Sequence, residues 1–253
     1  MLDIDIQRKS YIQHNPEREL LVLDNIRIKV KEGEFLALVG PSGCGKSTLL
    51  QILSGLDKTF EGNITWLDKQ SNSSANLGYV FQNPRLLPWL NLRDNITLVL
   101  DNPAEKKQQV DELLEATGLS AFSDYHPGQL SIGMQRRAAL ARAFVVEPSL
   151  LIMDEPFVSL DGPTAFQLRQ LLLDILAIRC TTVVFVTHDL HEATMLADRI
   201  LYLSSSPAKV IGESLVDLAR DKRTNEEEIG KRYLEIKTLF KSFYQSDRLP
   251  TES

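Results

Sequence analysis

The chain has 253 residues, 43% of them hydrophobic, with a formal net charge of −6, enough apolar content for a packed core in one large domain or two small ones. Its acidic balance, without basic blocks or Lys/Arg runs interleaved with aromatics, argues against nucleic acid as a partner and against a polybasic membrane anchor. No run of about 18 apolar residues occurs, and Met1 to Gln7 carries Asp3 and Asp5 where a secretory signal needs positive charge, so the chain is expected in the cytosol.

In chain order, Val22 to Val30 alternates, with Ile26, Ile28 and Val30 on one face and Arg27 and Lys29 on the other, as in a half-exposed antiparallel strand. Phe35 to Val39 is different in kind, a short continuous apolar run of the sort that helices cover on both faces. It leads directly into Gly40-Pro41-Ser42-Gly43-Cys44-Gly45-Lys46-Ser47-Thr48 and then a helix-prone segment around Leu49 to Leu53. A buried strand delivering a glycine-rich turn into a helix N-terminus aims successive N–H groups at one point, where the helix dipole also favours an anion. The glycines permit the tight backbone, Lys46 can reach the β- and γ-phosphates of a nucleotide, and the Ser47 hydroxyl can ligate Mg²⁺. Cys44 and Cys180 are too few for a disulfide framework and are expected as reduced thiols. Cys44 is read as a passive occupant of the loop, with an oxidation-sensitive role as the alternative.

After the polar loop Ser71 to Asn76, Gly78 to Gln82 reads as a short strand ending in a glutamine. From about Pro84 to Val146 the text becomes helix-forming, with Ala104 to Thr117 and Ser131 to Val146 separated by Gly118 and His126-Pro127-Gly128. This stretch is expected to be an inserted helical subdomain. Leu150 to Met153 is another buried strand, and it ends in Asp154-Glu155. Two acids at a carboxyl strand edge, where α/β folds bind ligands, need separate tasks: Asp154 suits Mg²⁺, often through water, and Glu155 suits a base that polarises an attacking water. Thr164 to Ile178 reads as a helix after Gly162-Pro163, with Leu168, Leu171, Leu172 and Ile175 on one stripe. Thr182 to Val186 is a further strand, followed by His188, whose N–H can bond a γ-phosphate. The group His188, Asp189, His191 and Glu192 lacks metal-site spacing, which disfavours zinc. Beyond Ser214 the chain is charged, yet Ile229, Tyr233, Ile236, Leu239, Phe240 and Phe243 recur at helical spacing, expected to be an amphipathic helix docked on its own domain, with a partner-binding helix as the alternative. The strand–helix alternation predicts an α/β doubly wound core with a parallel sheet.

In their order these motifs resemble the nucleotide-binding subunits of ABC transporters, from about Ile4 to Ile211. Leu130-Ser131-Ile132-Gly133-Met134 is similar to that family's signature, and Ser159-Leu160-Asp161 to its D-loop. The resemblance implies a P-loop ATPase core with an antiparallel β subdomain spanning residues 1–215, a helical subdomain inserted at about 84–146, and a charged helical extension at 216–253. It implies an ATPase using ATP and Mg²⁺. Lys46, Gln82, Glu155 and His188 would serve catalysis, and Ser47, Gln82 and Asp154 would hold the metal. Tyr11 would stack on adenine, Gly40 to Thr48 would bind the phosphates, Ser131 and Gly133 would meet the γ-phosphate held by a second copy, and Asp161 of the D-loop would belong to the nucleotide-binding set. Phe81 to Leu90, the Gly133-Met134 step and Leu203 to Pro207 are similar to the importer group for nitrate, sulfonate and taurine. That group implies a homodimer on the cytoplasmic face of the membrane, coupled to permease subunits and indirectly to an extracytoplasmic solute-binding protein, taking up a small anionic solute. Leu86, Leu87, Trp89 and Leu90 are expected to line the groove that receives the permease, or else to form subdomain core. Ile132 departs from the family's glycine; if that position demands positive φ, the site closes less well and the chain becomes a catalytically weak, nucleotide-gated module.

Overall fold

The computed structural model describes residues 1–12, 19–66, 76–223 and 225–247. In chain order it forms β1 (Leu2–Ile12), β2 (Glu19–Val30), β3 (Phe35–Val39), α1 (Lys46–Leu53), β4 (Glu61–Trp66), β5 (Leu77–Val80), α2 (Leu92–Thr97) and α3 (Lys107–Ala116). There follow α4 (Ile132–Phe144), β6 (Leu150–Asp154), α5 (Gly162–Ala177), β7 (Thr182–Thr187), α6 (Leu190–Leu196), β8 (Arg199–Leu203), β9 (Val210–Leu215) and α7 (Glu226–Asp247). The architecture is α/β, and most of Ser71 to Asn76 lies outside the described residues. Compactness divides the chain into two units, Met1–Asn72 with Thr182–Ser253, and Ser73–Thr181. The 84–146 stretch falls inside the second unit, and α7 falls within the first.

In the first unit, β1 pairs antiparallel with β2 and β4. Leu2, Ile4 and Ile6 on β1 and Ile26, Ile28 and Val30 on β2 are buried, which is the period-2 logic of a sheet covered on one face. Asp3 stands opposite Lys29 and Asp5 opposite Arg27, with ion-pair distances of 3.6 and 3.4 Å. Such exposed cross-strand pairs stabilise by only a few tenths of a kcal/mol, about 0.2–1 each. Strand β3 pairs in parallel with β7 and with β8, and β9 closes against β8 antiparallel. Every residue of β3 and β7 is buried, as the continuous apolar runs require of strands covered on both faces.

Helix α7 docks on this unit through most of the predicted stripe, Leu239 excepted, which lies off the docked face and is 47% exposed. Ile229 and Ile236 are 1% and 0% exposed, Phe240 and Phe243 each lie 5.4 Å from the Tyr202 ring, and Tyr233 meets the edge of His191. Gly212 on β9 makes room for it, because a Cβ there would sit 2.6 Å from the Phe243 ring.

In the second unit, β5 and β6 pair in parallel. On α5 three of the four stripe residues, Leu168, Leu172 and Ile175, are buried, while Leu171 is half-buried because it lies at the margin of that face and Leu176 takes the buried position instead, and α3 buries Val110, Leu113 and Leu114. Helix α2 is too short for periodicity to reveal and is fixed by its cap, with the Asn91 side chain accepting from Asp94 N–H at 2.8 Å.

Candidate functional site

The first unit presents the glycine-rich loop between β3 and α1. Gly43 and Gly45 have φ of 76° and 116°, a region that a side chain would strain. A Cβ at Gly45 would come within 2.9 Å of Leu23 and Val22, and one at Gly40 within 3.0 Å of Leu203, so these two glycines also let the loop lie tightly on its own unit. Pro41, Ser42, Gly43 and Ser47 are exposed, with Gly45 and Thr48 half-buried. Lys46 is only 5% exposed, and its Nζ donates to the carbonyls of Gly40 and Pro41, both at 2.8 Å. Its cation is therefore held at the loop by neutral acceptors, which anionic phosphate oxygens would replace at a gain. Cys44 is 1% exposed, and burial pushes its thiol up against the opposing pull of Lys46. That holds it as an unreactive thiol and removes the oxidation-sensitive alternative.

Tyr11, near the end of β1, is 39% exposed. Its hydroxyl donates to Asp57 Oδ2 at 3.2 Å, and Lys9 Nζ lies 4.5 Å from the ring centroid and 2.7 Å from the same carboxylate. Burial pushes the Asp57 carboxyl up, but the Lys9 ammonium and the Thr59 and Tyr11 hydrogen bonds outweigh it and hold the group below the usual range. His188 is exposed at the junction of β7 and α6, which Asp189 fixes by accepting from His191 N–H at 2.8 Å and Glu192 N–H at 3.4 Å. Glu192 accepts from Thr187 Oγ1 at 2.9 Å. Among the described residues no group of three His, Cys, Asp or Glu is placed to hold a metal ion by itself.

The second unit carries the acids and the signature. Asp154 ends β6, and Glu155 takes φ of 43°, a conformation that costs a non-glycine residue about 1–3 kcal/mol and is retained mainly where it aims a functional group. The Glu155 carbonyl accepts from Val158 N–H at 3.2 Å, which closes the turn that begins at Glu155. Burial, and after it the Asp154 charge, raises the Tyr79 phenol well above its usual range. Tyr79 stacks on Phe81 at 4.0 Å, and Phe81 holds Arg85 at 4.1 Å. Gln82 is exposed just beyond β5.

Ser131 caps α4, its Oγ accepting from Met134 N–H at 3.2 Å. Ile132 is the first residue of that helix, 50% exposed and without positive φ. The backbone at this position therefore asks nothing of it that only glycine supplies, which corrects the expectation of a strained signature and removes the ground for a catalytically weak module. Gly133 does matter: a Cβ there would lie 2.7 Å from Thr164 Cγ2. Asp161 caps α5 by accepting from Thr164 N–H at 3.0 Å and from Thr164 Oγ1 at 2.7 Å, bonds that hold its carboxyl below the usual range. Within this unit the structure thus brings the signature and the D-loop together at Thr164.

Three polar residues organise the second unit through contacts that the sequence reading did not give, although Arg136 follows directly on the signature-like run. Asn95, fully buried, bonds Leu87 N–H and the carbonyls of Leu87, Leu90 and Asn91. Arg142 donates to the carbonyls of Arg85 and Pro84 at 2.9 and 2.7 Å. Arg136 donates to Pro156 and Val158. No periodicity distinguishes these side chains from solvent-facing neighbours. Leu86, Leu87 and Leu90 are half-buried and Trp89 is 71% exposed, so this apolar segment is surface rather than subdomain core.

Comparison with known proteins agrees with this arrangement. Residues 23–158 match the ABC transporter family model. An aliphatic sulfonates import ATP-binding protein, SsuB 2 of Burkholderia cenocepacia, is 39% identical over 246 residues, 96% of this chain and 88% of that protein. The SsuB protein of Bacillus subtilis is 41% identical over 210 residues, 82% of this chain and 81% of that one. The dimeric ATP-binding cassette MJ0796, solved in a post-hydrolysis state with ADP and Pi, superposes with a TM-score of 0.75 at 31% identity, covering 87% of this chain and 100% of that one. The chain belongs to the ABC transporter family. It is an ATPase whose substrate is ATP and whose metal is Mg²⁺, and the buried Lys46 beside an exposed Ser47 at the start of α1 suits both.

Proposed function

We propose that two copies of this chain form the motor of an importer for aliphatic sulfonates or similar small anions, each copy sealing the nucleotide of the other. The observation that carries the motor is Lys46, a buried cation that donates to two carbonyls of its own loop, ready to exchange them for a triphosphate. Gly40 to Thr48 hold the phosphates, with Tyr11 against the adenine, and Ser131, Gly133 and Asp161 act on the partner's nucleotide. The α4 dipole and the exposed Ser131 hydroxyl favour an anion there. Pairing through identical surfaces gives two equivalent sites.

Ser47, Gln82 and Asp154 would hold Mg²⁺, which neutralises charge on the phosphate oxygens when bound. Glu155 takes a proton from water as that water's oxygen bonds to the γ-phosphorus, and the bond from phosphorus to the ADP oxygen breaks. His188 offers an N–H to the γ-phosphate oxygens, where charge is stabilised during transfer. Lys46 stays in place as a fixed countercharge.

Trp89, with Leu86, Leu87 and Leu90 beside it, is the proposed docking surface for a permease subunit on the cytoplasmic face of the membrane. Exposed apolar anchors of this kind mark interaction sites. Among the described residues no helix is long and apolar enough to cross a membrane, so the permease, served outside the membrane by a solute-binding protein, would provide the path. Sulfonate as the solute rests on the names of the relatives from Burkholderia cenocepacia and Bacillus subtilis. The test is reconstitution with the permease in vesicles: ATP hydrolysis should rise when binding protein loaded with an alkanesulfonate is supplied, and fall back with Trp89→Ala. Hydrolysis indifferent to loaded binding protein in an assembled complex contradicts the importer reading.

A further inference from the structure

We propose that Arg136 is a positioning residue that ties the signature helix to the catalytic turn of the same chain, so that sealing of one nucleotide site is felt by the glutamate of the other. The proposal rests on the dimeric reading above and adds to it the residue that carries the message. Arg136 sits on α4, five positions after Ser131, and is 6% exposed. Its Nη1 donates to the Pro156 carbonyl at 2.6 Å and its Nη2 to the Val158 carbonyl at 2.7 Å. These are short, charge-assisted contacts from a planar fork, so they fix direction as well as distance.

The turn they grip begins at Glu155. Val158 N–H bonds the Glu155 carbonyl at 3.2 Å, and Glu155 carries a positive φ of 43°. A positive-φ residue persists because its surroundings over-determine it, and the Arg136 fork supplies two of those constraints. The guanidinium has little freedom to leave. It borders a cavity of only about 10 Å³ whose walls include Phe81, Met153, Phe157 and Leu168, room for about one water, and its Nε has no protein partner among the described residues. Burial also lowers its affinity for the proton. Arg137, its neighbour, turns elsewhere, to Gln167 Oε1 at 2.6 Å and to the Thr117 carbonyl.

Helix α4 is therefore a short rod with Ser131 at its tip and the catalytic turn bolted to its second turn. In a dimer, Ser131 meets the partner's nucleotide while Glu155 serves the chain's own. Any shift of the tip on engagement is delivered to the backbone on which Glu155 stands, which couples the two sites through two discrete hydrogen bonds.

The experiment compares the full-length wild type with Arg136→Gln and Arg136→Lys. ATPase rates are taken across ATP concentration and divided by the amount of protein that binds a fluorescent ATP analogue. In parallel, ATP-dependent dimerisation is followed by gel filtration with each change placed in a Glu155→Gln background. The expected result is a fall in kcat of about 10-fold for Arg136→Gln, with KM within about 2-fold and the Hill coefficient moving from about 2 toward 1, while the dimer still forms. Arg136→Lys, which keeps the charge and one donor in the pocket, should restore part of both. A kcat per binding-competent chain equal to wild type, or a loss fully accounted for by lost dimer, overturns the proposal. A wild type that never dimerises with ATP overturns the dimeric reading and the coupling together, whereas a normal kcat in a dimerising Arg136→Gln protein overturns the coupling alone.

Discussion

Asn95 grips Leu87 from both sides: Leu87 N–H donates to Asn95 Oδ1 at 2.7 Å, and Asn95 Nδ2 donates back to the Leu87 carbonyl at 3.1 Å. The same amide also reaches the carbonyls of Leu90 and Asn91. One fully buried side chain thus satisfies the irregular backbone that carries Trp89 to the surface, where ordinary strand or helix pairing is absent. Replacement by leucine, close in size, leaves those backbone groups unpaired at about 1–3 kcal/mol. Asn95→Leu should therefore lower the melting temperature, and its permease-stimulated ATPase should fall more than its basal ATPase. Equal loss of both activities would show that the segment is not the docking surface.

The catalytic glutamate gives a separate prediction. Glu155→Gln keeps the size and the turn but cannot accept the proton of the attacking water. It should bind Mg-ATP with wild-type affinity and hydrolyse it about 10²-fold or more slowly. Single-turnover hydrolysis by the purified chain reads this directly, and near-normal turnover would remove Glu155 from the role of base.

Acid sensitivity should centre on Asp198. Burial pushes its carboxyl up, but bonds from Arg220 and Arg223 at 2.6 Å and from Phe35 N–H at 2.9 Å hold it below the usual range. A carboxyl lowered in the folded state contributes stability that is complete above its unfolded pKa of about 3.9 and is lost as pH falls through its folded value. Arg223 is 4% exposed, so removing the carboxylate strands a buried cation. Asp198→Asn should cost about 1–3 kcal/mol at pH 7, after discounting the partial exposure of the carboxylate. The gap from wild type should narrow below about pH 4, which denaturant melts at a series of pH values would reveal.

Ile132 opens α4 with ordinary helical backbone. Ile132→Gly should leave the ATPase rate within about 3-fold of wild type, since it relieves no backbone strain, while the added backbone freedom costs up to about 1 kcal/mol of stability. A large rise in turnover would mean that the isoleucine side chain hinders closure.

The parts of this fold that repeat a period were readable in the residues. The unbroken apolar runs of β3, β6 and β7, the stripe of α5 and the docking stripe of α7 follow from how strands and helices bury one face or two. The phosphate loop was readable because its glycines, lysine and serine stand at fixed spacing between a strand and a helix. Strand β1 was not read as a strand from the residues, although Asp3 and Asp5 form its outer face, paired across to Lys29 and Arg27. Asn95, Arg136 and Arg142 were not readable, because a buried polar side chain is defined by distant carbonyls that it satisfies and leaves no mark on local pattern. The condition under which Ile132 would strain the signature, a positive φ, is not met, because the Ser131 cap places it in the first turn of the helix read over Ser131 to Val146.

The central claim is that Ser131 of one copy closes over the phosphate loop of another. Ser42 and Ser131 are both exposed, so a chain carrying Ser42→Cys and Ser131→Cys in the Glu155→Gln background can report it by oxidative crosslinking. The account predicts a covalent dimer that forms rapidly with Mg-ATP, weakly without nucleotide, and not with either cysteine alone. Absence of that dimer, in protein that binds ATP normally, would contradict it.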